Sequence, residues 1–435
     1  MKKLLPLILF VFFAGCDDSP RIYGPSTFAI GQKVTVTLTQ GSELVESEFR
    51  FTDSSGKVFT PDDDALEYEY LGKNKFSFRV PAGVVSGDAT LEMKGKTETY
   101  KINFRIIRGI IWSDGSGVLS LSDIDEPSSV FKTMNIGTGD NIIRVVDEKS
   151  RIVILSPETG QIDYLMVDSK DYDTFGVYAT SITLQSTTQG VNASPTDVLA
   201  IDNGLVVSAD RGICGVKILT IPDNAISFDS WIYSEGEVRA LDISDSIDEN
   251  GTKVIAAAGL DANDFSILMT FNSLPFPRTA SDKNIVILSE DDSTVSDVSI
   301  SPDAVYAAAV IPSSDSLYLV NTSTSNVVKT TLSDCLSPTH VDFVNAGERI
   351  AVLCSGSDTV QLFDVNGTTP THFKTITAGS STNHVSGMFY SSDEYVWVSL
   401  AKGGLVYLDS TSSNPVLNSL EGSDSIKSPS FVIQP

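Results

Sequence analysis

The sequence holds three histidines, four cysteines and one dense acidic run, and these set the limits of its chemistry. His340 and His384 stand near the starts of two adjacent repeats, so both are candidates to face one end of a central channel, as a base or as metal ligands. No obvious third ligand accompanies them, and two imidazoles alone make a weak metal site. Asp242, Asp245, Asp248 and Glu249 crowd a loop ending Asn250-Gly251, with Asp261 and Asp264 one strand later. Carboxylates at this density suit calcium, but their spacing departs from the EF-hand loop, and a solvated insertion is the plainer account. Asp62-Asp63-Asp64 poses the same choice. Cys335 and Cys354 each lie near the end of a predicted strand, and in an exported chain they are candidates for a disulfide. Cys214 then stays unpaired, as a buried and inert thiol. CxxC pairs, a GxSxG elbow, a P-loop and a dinucleotide fingerprint are missing, so no catalytic set is assigned.

Export is expected from residues 1–16, MKKLLPLILFVFFAGC. Lys2 and Lys3 are followed by an apolar run from Leu4 to Phe13, broken only by Pro6, and then by Ala14-Gly15-Cys16. This is the layout of a secretory signal, too short to span a bilayer stably. Its ending resembles the lipobox of bacterial lipoproteins, with Phe13 where that family prefers Leu. The resemblance implies that the Cys16 thiol accepts a diacylglycerol and that the new N-terminus is acylated. Several acyl chains hold a protein on a membrane where one alone is marginal. Residues 17–21 then form a short tether. Asp17 resembles the inner-membrane retention signal of enteric lipoproteins; other bacteria sort differently, so inner and outer membrane both stay open.

Acidic groups outnumber basic ones, 56 to 30. Residues 1–108 are balanced, so the whole net charge of −26 falls on residues 109–435. Such a surface repels nucleic acid and anionic membranes at long range. It is compatible with cationic partners or calcium.

Period-two alternation organises residues 22–107. Lys33 to Thr39, Glu48 to Phe51, Leu66 to Tyr70, Lys75 to Val80, Asp88 to Glu92 and Tyr100 to Ile106 read as strands separated by turn residues. Roughly seven short strands at this spacing argue for a β-sandwich. Phe49, Phe51, Tyr68, Phe76 and Phe78 are its expected core. The turn Val80-Pro81-Ala82-Gly83-Val84-Val85-Ser86-Gly87 is similar to a stretch in bacterial immunoglobulin-like domains of the IPT/TIG kind, and the segment's length fits them too.

Residues 108–435 repeat. Val295 to Asn321, Pro338 to Val365 and Asn383 to Asp409 align as three strands each, with a fourth following, as at Val327 to Thr331. The period of about 44 residues with four strands is that of a propeller blade. Starts near 142, 197, 238, 296, 340 and 385 mark six blades. Residues 430–433 read as the innermost strand of a seventh, completed by residues 104–135, which would join both chain ends. An eighth blade within 238–295 stays open. The sequence Ser301-Pro302-Asp303 with Leu317-Tyr318-Leu319-Val320-Asn321 resembles propellers of the YVTN and lactonase-like families. That likeness implies a fold used both for binding and for catalysis, including lactone hydrolysis and, in other propellers, quinone cofactors. It transfers no catalytic residue to this chain.

The expected protein is all-β: signal 1–16, tether 17–21, immunoglobulin-like sandwich 22–107 and seven-bladed propeller 108–435. Its expected role is binding or scaffolding at the envelope, with an envelope protein or glycan as partner and no nucleic acid. A lactone hydrolase or quinone-dependent dehydrogenase is the alternative. No cofactor is assigned, and calcium is possible at Asp242, Asp245 and Asp248.

Overall fold

The computed structural model describes residues 22–23, 27–29, 33–38, 44–60, 68–72, 75–80, 84, 87–95, 99–107, 109–113, 117–124, 126–136, 139, 141–147, 151–166, 177–184, 192–201, 204–219, 225–245, 252–273, 283–291, 293–390, 395–426 and 431–433. Cys16, residues 17–21, Asp62 to Asp64 and Asp248 lie outside them. Every regular element described is a strand, apart from two short 3-10 turns at Pro312–Ser314 and Asn345–Gly347.

The first strands build two sheets. One orders Ile22–Tyr23, Lys33–Leu38, Lys75–Arg79 and Tyr68–Gly72; the other orders Thr27–Ala29, Thr99–Ile107, Gly87–Gly95, Leu44–Thr52 and Val58–Phe59. Nine strands thus form where the alternation predicts about seven. The extra ones are pieces of two or three residues, too short to show a period. Alternate residues Val34, Val36, Phe49, Phe51, Phe76, Phe78, Leu91, Phe104 and Ile106 bury a common core. Tyr68 lies at its margin, 38% exposed, with its ring edge-on to Phe49 at 5.0 Å.

One residue, Arg108, separates the strand Thr99–Ile107 from the next, Gly109–Ser113. Arg105 Nη2 reaches the buried Asp123 Oδ2 at 3.3 Å, so the junction carries an ion pair.

From Gly109 onward seven antiparallel four-stranded sheets follow, numbered here in chain order. Sheet one is Gly109–Ser113, Val118–Asp123 and Glu126–Asn135. Its fourth strand is Phe431–Ile433, which pairs with Ile110 to Trp112 from the far end of the chain. Sheet two is Ile142–Asp147, Arg151–Ser156, Gln161–Met166 and Val177–Thr183. Sheet three is Pro195–Ile201, Gly204–Ala209, Gly212–Leu219 and Ala225–Tyr233. Sheet four is Val238–Ile243, Val254–Leu260, Ser266–Asn272 and Lys283–Ser289. The described residues of the stretch 238–289 therefore make one sheet, and Phe271 is buried within it. Sheets five, six and seven begin at Asp297–Ile300, Pro338–Val344 and Val385–Tyr390.

Each sheet is apolar on both faces, and each face meets a neighbouring sheet. Ile152, Ile154 and Leu165 of sheet two pack on Ile111, Leu119 and Leu121 of sheet one. Val153, Leu155 and Tyr164, on the other face of sheet two, pack on Val198, Leu205 and Val207 of sheet three. Sheet seven in turn packs on sheet one, where Trp397 and Leu405 meet Ile110, Trp112 and Ile124. Polar ties reinforce the seams. Arg349 of sheet six donates to Asp364 at 2.9 Å and to the carbonyls of Ser410 and Ser412, and stacks over Phe373 at 4.0 Å.

Local chemistry shapes the hairpins. In Ser301-Pro302-Asp303 the Ser301 hydroxyl donates to Asp303 at 2.6 Å and accepts from the Tyr306 N–H. Side-chain bonds of this kind replace backbone pairing at a turn. Gly212 turns the sheet-three hairpin with φ +121°, and a Cβ there would sit 2.0 Å from the Tyr233 carbonyl oxygen.

Cys335 and Cys354 form a disulfide with Cα atoms 5.1 Å apart, stapling the start of sheet six to its second strand. Replacing both with Ser should lower stability by about 3 kcal/mol, because the link restricts the unfolded chain. Urea unfolding of the paired variant checks it: an unchanged midpoint would show that the link contributes nothing.

Candidate functional site

The first strands of sheets two to seven lie beside one another in succession, and Phe431–Ile433 also contacts the first strand of sheet two. They belong to separate sheets and share no ladder. Side chains bridge the gaps, and this seam gathers the most strongly perturbed carboxyl groups described.

Asp197 of sheet three accepts from Leu241 N of sheet four at 3.1 Å through Oδ2, while its Oδ1 accepts from its own neighbour Val198 N at 2.9 Å. Asp242 of sheet four repeats the device. Its Oδ2 accepts from Ile300 N at 2.7 Å and Ser299 Oγ at 3.0 Å, and its Oδ1 accepts from Ile243 N at 2.8 Å. Asp297 of sheet five reaches Val341 N of sheet six at 2.9 Å and caps Val298 N at 3.0 Å. Asp342 of sheet six accepts from the Tyr390 main chain of sheet seven. Ser299 fills the same role with a hydroxyl, accepting from Phe343 N at 3.1 Å.

These residues fall on two levels. A bulge near the start of the first strand sets Asp197, Ala240, His340 and Gly387 at one register position. Two residues on, period-two geometry turns the next side chain to the same side. Asp242 and Asp342 occupy that second level, whereas Asp197 and Asp297 each serve from the first. Arg144 of sheet two enters the same space, donating through Nε to Asp197 Oδ1 at 3.0 Å.

The electrostatics follow from enclosure. Burial pushes the Asp297 carboxyl up to about 8 and that of Asp242 up to about 6, against the opposing pull of their main-chain hydrogen bonds. Asp342 is raised well above the usual carboxylate range, first by burial and then by the charges of Asp297 and Asp242. Burial, helped by the Arg144 charge, lowers His340 to about 4, so its imidazole is neutral near pH 7.

The two histidines are not brought together. Pairing aligns Pro338 with Val385, which places His340 inside its strand and leaves His384 ahead of its own. His384 is exposed, with Nδ1 2.8 Å from Asp358 Oδ2, while His340 Nδ1 lies 3.2 Å from Thr339 Oγ1. Only His340 belongs to the seam. The acidic loop divides likewise. Asp242 is turned inward to its cross-sheet bonds, whereas Asp245, beyond the strand end, is exposed. Asp261 caps a hairpin turn, accepting from Asn263 N and Phe265 N. Among the described residues no group of three His, Cys, Asp or Glu side chains is placed to hold a metal ion. Burial pushes the Cys214 thiol up to about 12, which keeps it unreactive.

The seam itself is absent from the sequence expectations. Its signal was an acidic residue beside apolar ones near four of the repeat starts: Asp197-Val198, Leu241-Asp242-Ile243, Asp297-Val298 and Val341-Asp342-Phe343. An isolated acid inside an apolar strand is a buried group that needs partners.

The raised carboxyls hold protons in the folded chain that they release on unfolding, where an Asp titrates near 3.9. Their stabilising contribution is complete at low pH and is lost as pH climbs through the folded values. His340 acts in the opposite sense, but only below about pH 6.5. From there to pH 8 Asp297 alone should lower stability by about 2 kcal/mol, and Asp342 adds to the fall. Asp297→Asn should make that slope shallower in pH-dependent urea unfolding. A slope unchanged by the substitution would remove Asp297 as its source.

No protein-family model matches the chain, and no curated protein matches it significantly. Among solved structures it is similar to a functionally unknown protein from Desulfotomaculum acetoxidans, at 14% identity and a TM-score of 0.50, over 75% of this chain and 98% of that one. It also matches the β-propeller domain of Myceliophteria thermophila Cps50, at 11% identity and a TM-score of 0.45, over 65% and 86% of the two chains. A third match is a Bacteroides fragilis protein provisionally named a 6-phosphogluconolactonase, at 13% identity and a TM-score of 0.48, over 68% and 93%. Likeness at these identities concerns fold alone: an all-β chain of several small antiparallel sheets, compatible with propeller-like and sandwich-like arrangements.

Proposed function

We propose that this protein is a lipid-anchored component of a bacterial cell envelope that binds or scaffolds a partner rather than catalysing a reaction. In this reading the seven sheets from Gly109 onward are the blades of a closed propeller. The pairing of Phe431–Ile433 with Gly109–Ser113 and the packing of sheet seven on sheet one support that closure. The two sheets of residues 22–107 are an immunoglobulin-like spacer between membrane and propeller. Cys16 carries the lipid, and an envelope protein or glycan is the partner.

The observation that carries the non-enzymatic reading is the occupancy of the seam. Both carboxyl oxygens of Asp197, Asp242 and Asp297 are engaged by main-chain N–H groups, and Arg144 is drawn onto Asp197. Groups so engaged hold blades together and are poorly placed to act on a substrate. The alternative, a lactone hydrolase or quinone-dependent dehydrogenase, draws on the same convergence, since Arg144, His340 and carboxyls from four sheets gather at one seam.

Two experiments test this reading. Cys16→Ser should abolish lipid labelling and move the protein to the soluble fraction; unchanged membrane fractionation would refute the anchor. Crosslinking in intact envelopes should recover a discrete protein or glycan, with no turnover in a lactone screen. Turnover abolished by His340→Ala or Arg144→Ala would favour the enzyme instead. Closure has its own test, deletion of residues 428–435. The whole propeller should lose cooperative unfolding, whereas a single intact transition at the original midpoint would argue for an open array.

A further inference from the structure

Among the described residues the strand Lys283–Ser289 is the outermost of sheet four and pairs on one side, with Ser266–Asn272. Such an edge offers unpaired main-chain groups to another strand, and natural proteins blunt it with charge, proline or a bulge. The outermost strand of sheet five exposes Val327 at 36% but sets Lys329 and Thr331 beside it, and that of sheet six exposes Thr371, His372 and Thr375. Sheet four departs from that practice. Its edge exposes Ile285 at 42% and Ile287 at 48%, side by side on one face, while Val286 and Leu288 pack inward. A bulge lies only at its far end, between the pairs Ser266–Ser289 and Ile267–Ile287.

The strand is self-complementary. Its centre reads Ile285-Val286-Ile287, the same in both directions. A cation, Lys283, stands at one end, and the exposed acids Glu290 and Asp291 follow the other. An antiparallel pairing about a two-fold axis at Val286 sets Ile285 opposite Ile287 of a second copy, twice over. It also sets Lys283 opposite Ser289 of that copy, next to its two carboxylates. A slip of one residue would place the isoleucines of one copy on the face opposite those of the other, and a slip of two would leave one isoleucine of each copy without an isoleucine opposite it, so burial favours this register. Cross-strand pairs of β-branched residues and of opposite charges are the stabilising units of a sheet. The net charge of −26 opposes association at long range, but salt screens charges separated by more than about 8 Å at physiological ionic strength.

We propose that Lys283–Ser289 is a self-association edge, through which two copies join their fourth sheets into one continuous eight-stranded sheet. Sedimentation of the full chain over a range of concentrations should show a reversible monomer–dimer equilibrium. Ile287→Lys should raise the dissociation constant at least ~10-fold, because the second copy brings the same cation against Ile285 on each side. Ile285→Thr, a milder change, should weaken the dimer in the same direction, and unaltered thermal unfolding of either variant shows that the fold survives. The register has a separate readout. In the double variant Ile285→Cys/Ile287→Cys the opposed Cβ atoms lie about 4.5–5.5 Å apart, and oxidation should give a dimer on a non-reducing gel. Lys329→Cys, on the neighbouring outer strand, should give none. Monomer at every concentration, a dimer indifferent to Ile287→Lys, or equal crosslinking by the Lys329 control would overturn the proposal. So would crosslinking in envelopes to a protein of different mass, which would assign the edge to another partner.

Discussion

A four-stranded sheet with two apolar faces cannot stand alone in water, and that constraint organises the chain beyond residue 108. Each sheet gives one face to the sheet before it and the other to the sheet after it. Ile152 and Val153, adjacent in one strand, enter different cores for this reason. The same need sends Trp397 of the last sheet against Trp112 and Ile110 of the first. Seams rather than sheets are therefore the units of burial, and removing one sheet would strip apolar cover from two others.

Apolar faces alone leave the first strands of neighbouring sheets close together without a shared ladder. The seam carboxylates occupy those gaps. Each of Asp197, Asp242 and Asp297 spends one oxygen on its own strand and the other on the next sheet. A charge packed between sheets is unfavourable, and several together are worse. The molecule answers with main-chain donors, with the Arg144 guanidinium and, at Asp297 and Asp342, with a tendency to keep the proton. The device that ties the sheets together thus makes the same seam sensitive to pH.

The segment before residue 108 solves its burial problem separately, with Phe51, Phe76, Phe78 and Phe104 between two sheets and no disulfide among its described residues. Its last strand runs almost directly into sheet one, and Arg105 pairs with Asp123 across that junction. A connection this short, with an ion pair over it, restricts relative motion more than a polar linker would.

Much of the architecture was legible in sequence, because period-two alternation records which residues face a core. The repeat starts near 142, 197, 238, 296, 340 and 385 fall on the first strands of six sheets, and residues 431–433 pair with Ile110 to Trp112, inside the span 104–135 expected to complete their sheet, although 104–107 belong to the preceding strand Thr99–Ile107. Burial patterns are local and survive in a linear string. What a polar side chain meets is not local. Asp242 looked like part of a calcium loop because Asp245 and Asp248 follow it, yet its partners, Ser299 and Ile300, lie in the next repeat. His340 and His384 looked equivalent until a bulge and a few residues of register put one in the seam and the other on the surface. The sequence by itself determined the strands, the repeat and the faces they bury. Only the tertiary structure decided which carboxylates became ties between sheets, since that depends on distances across a gap no single repeat contains.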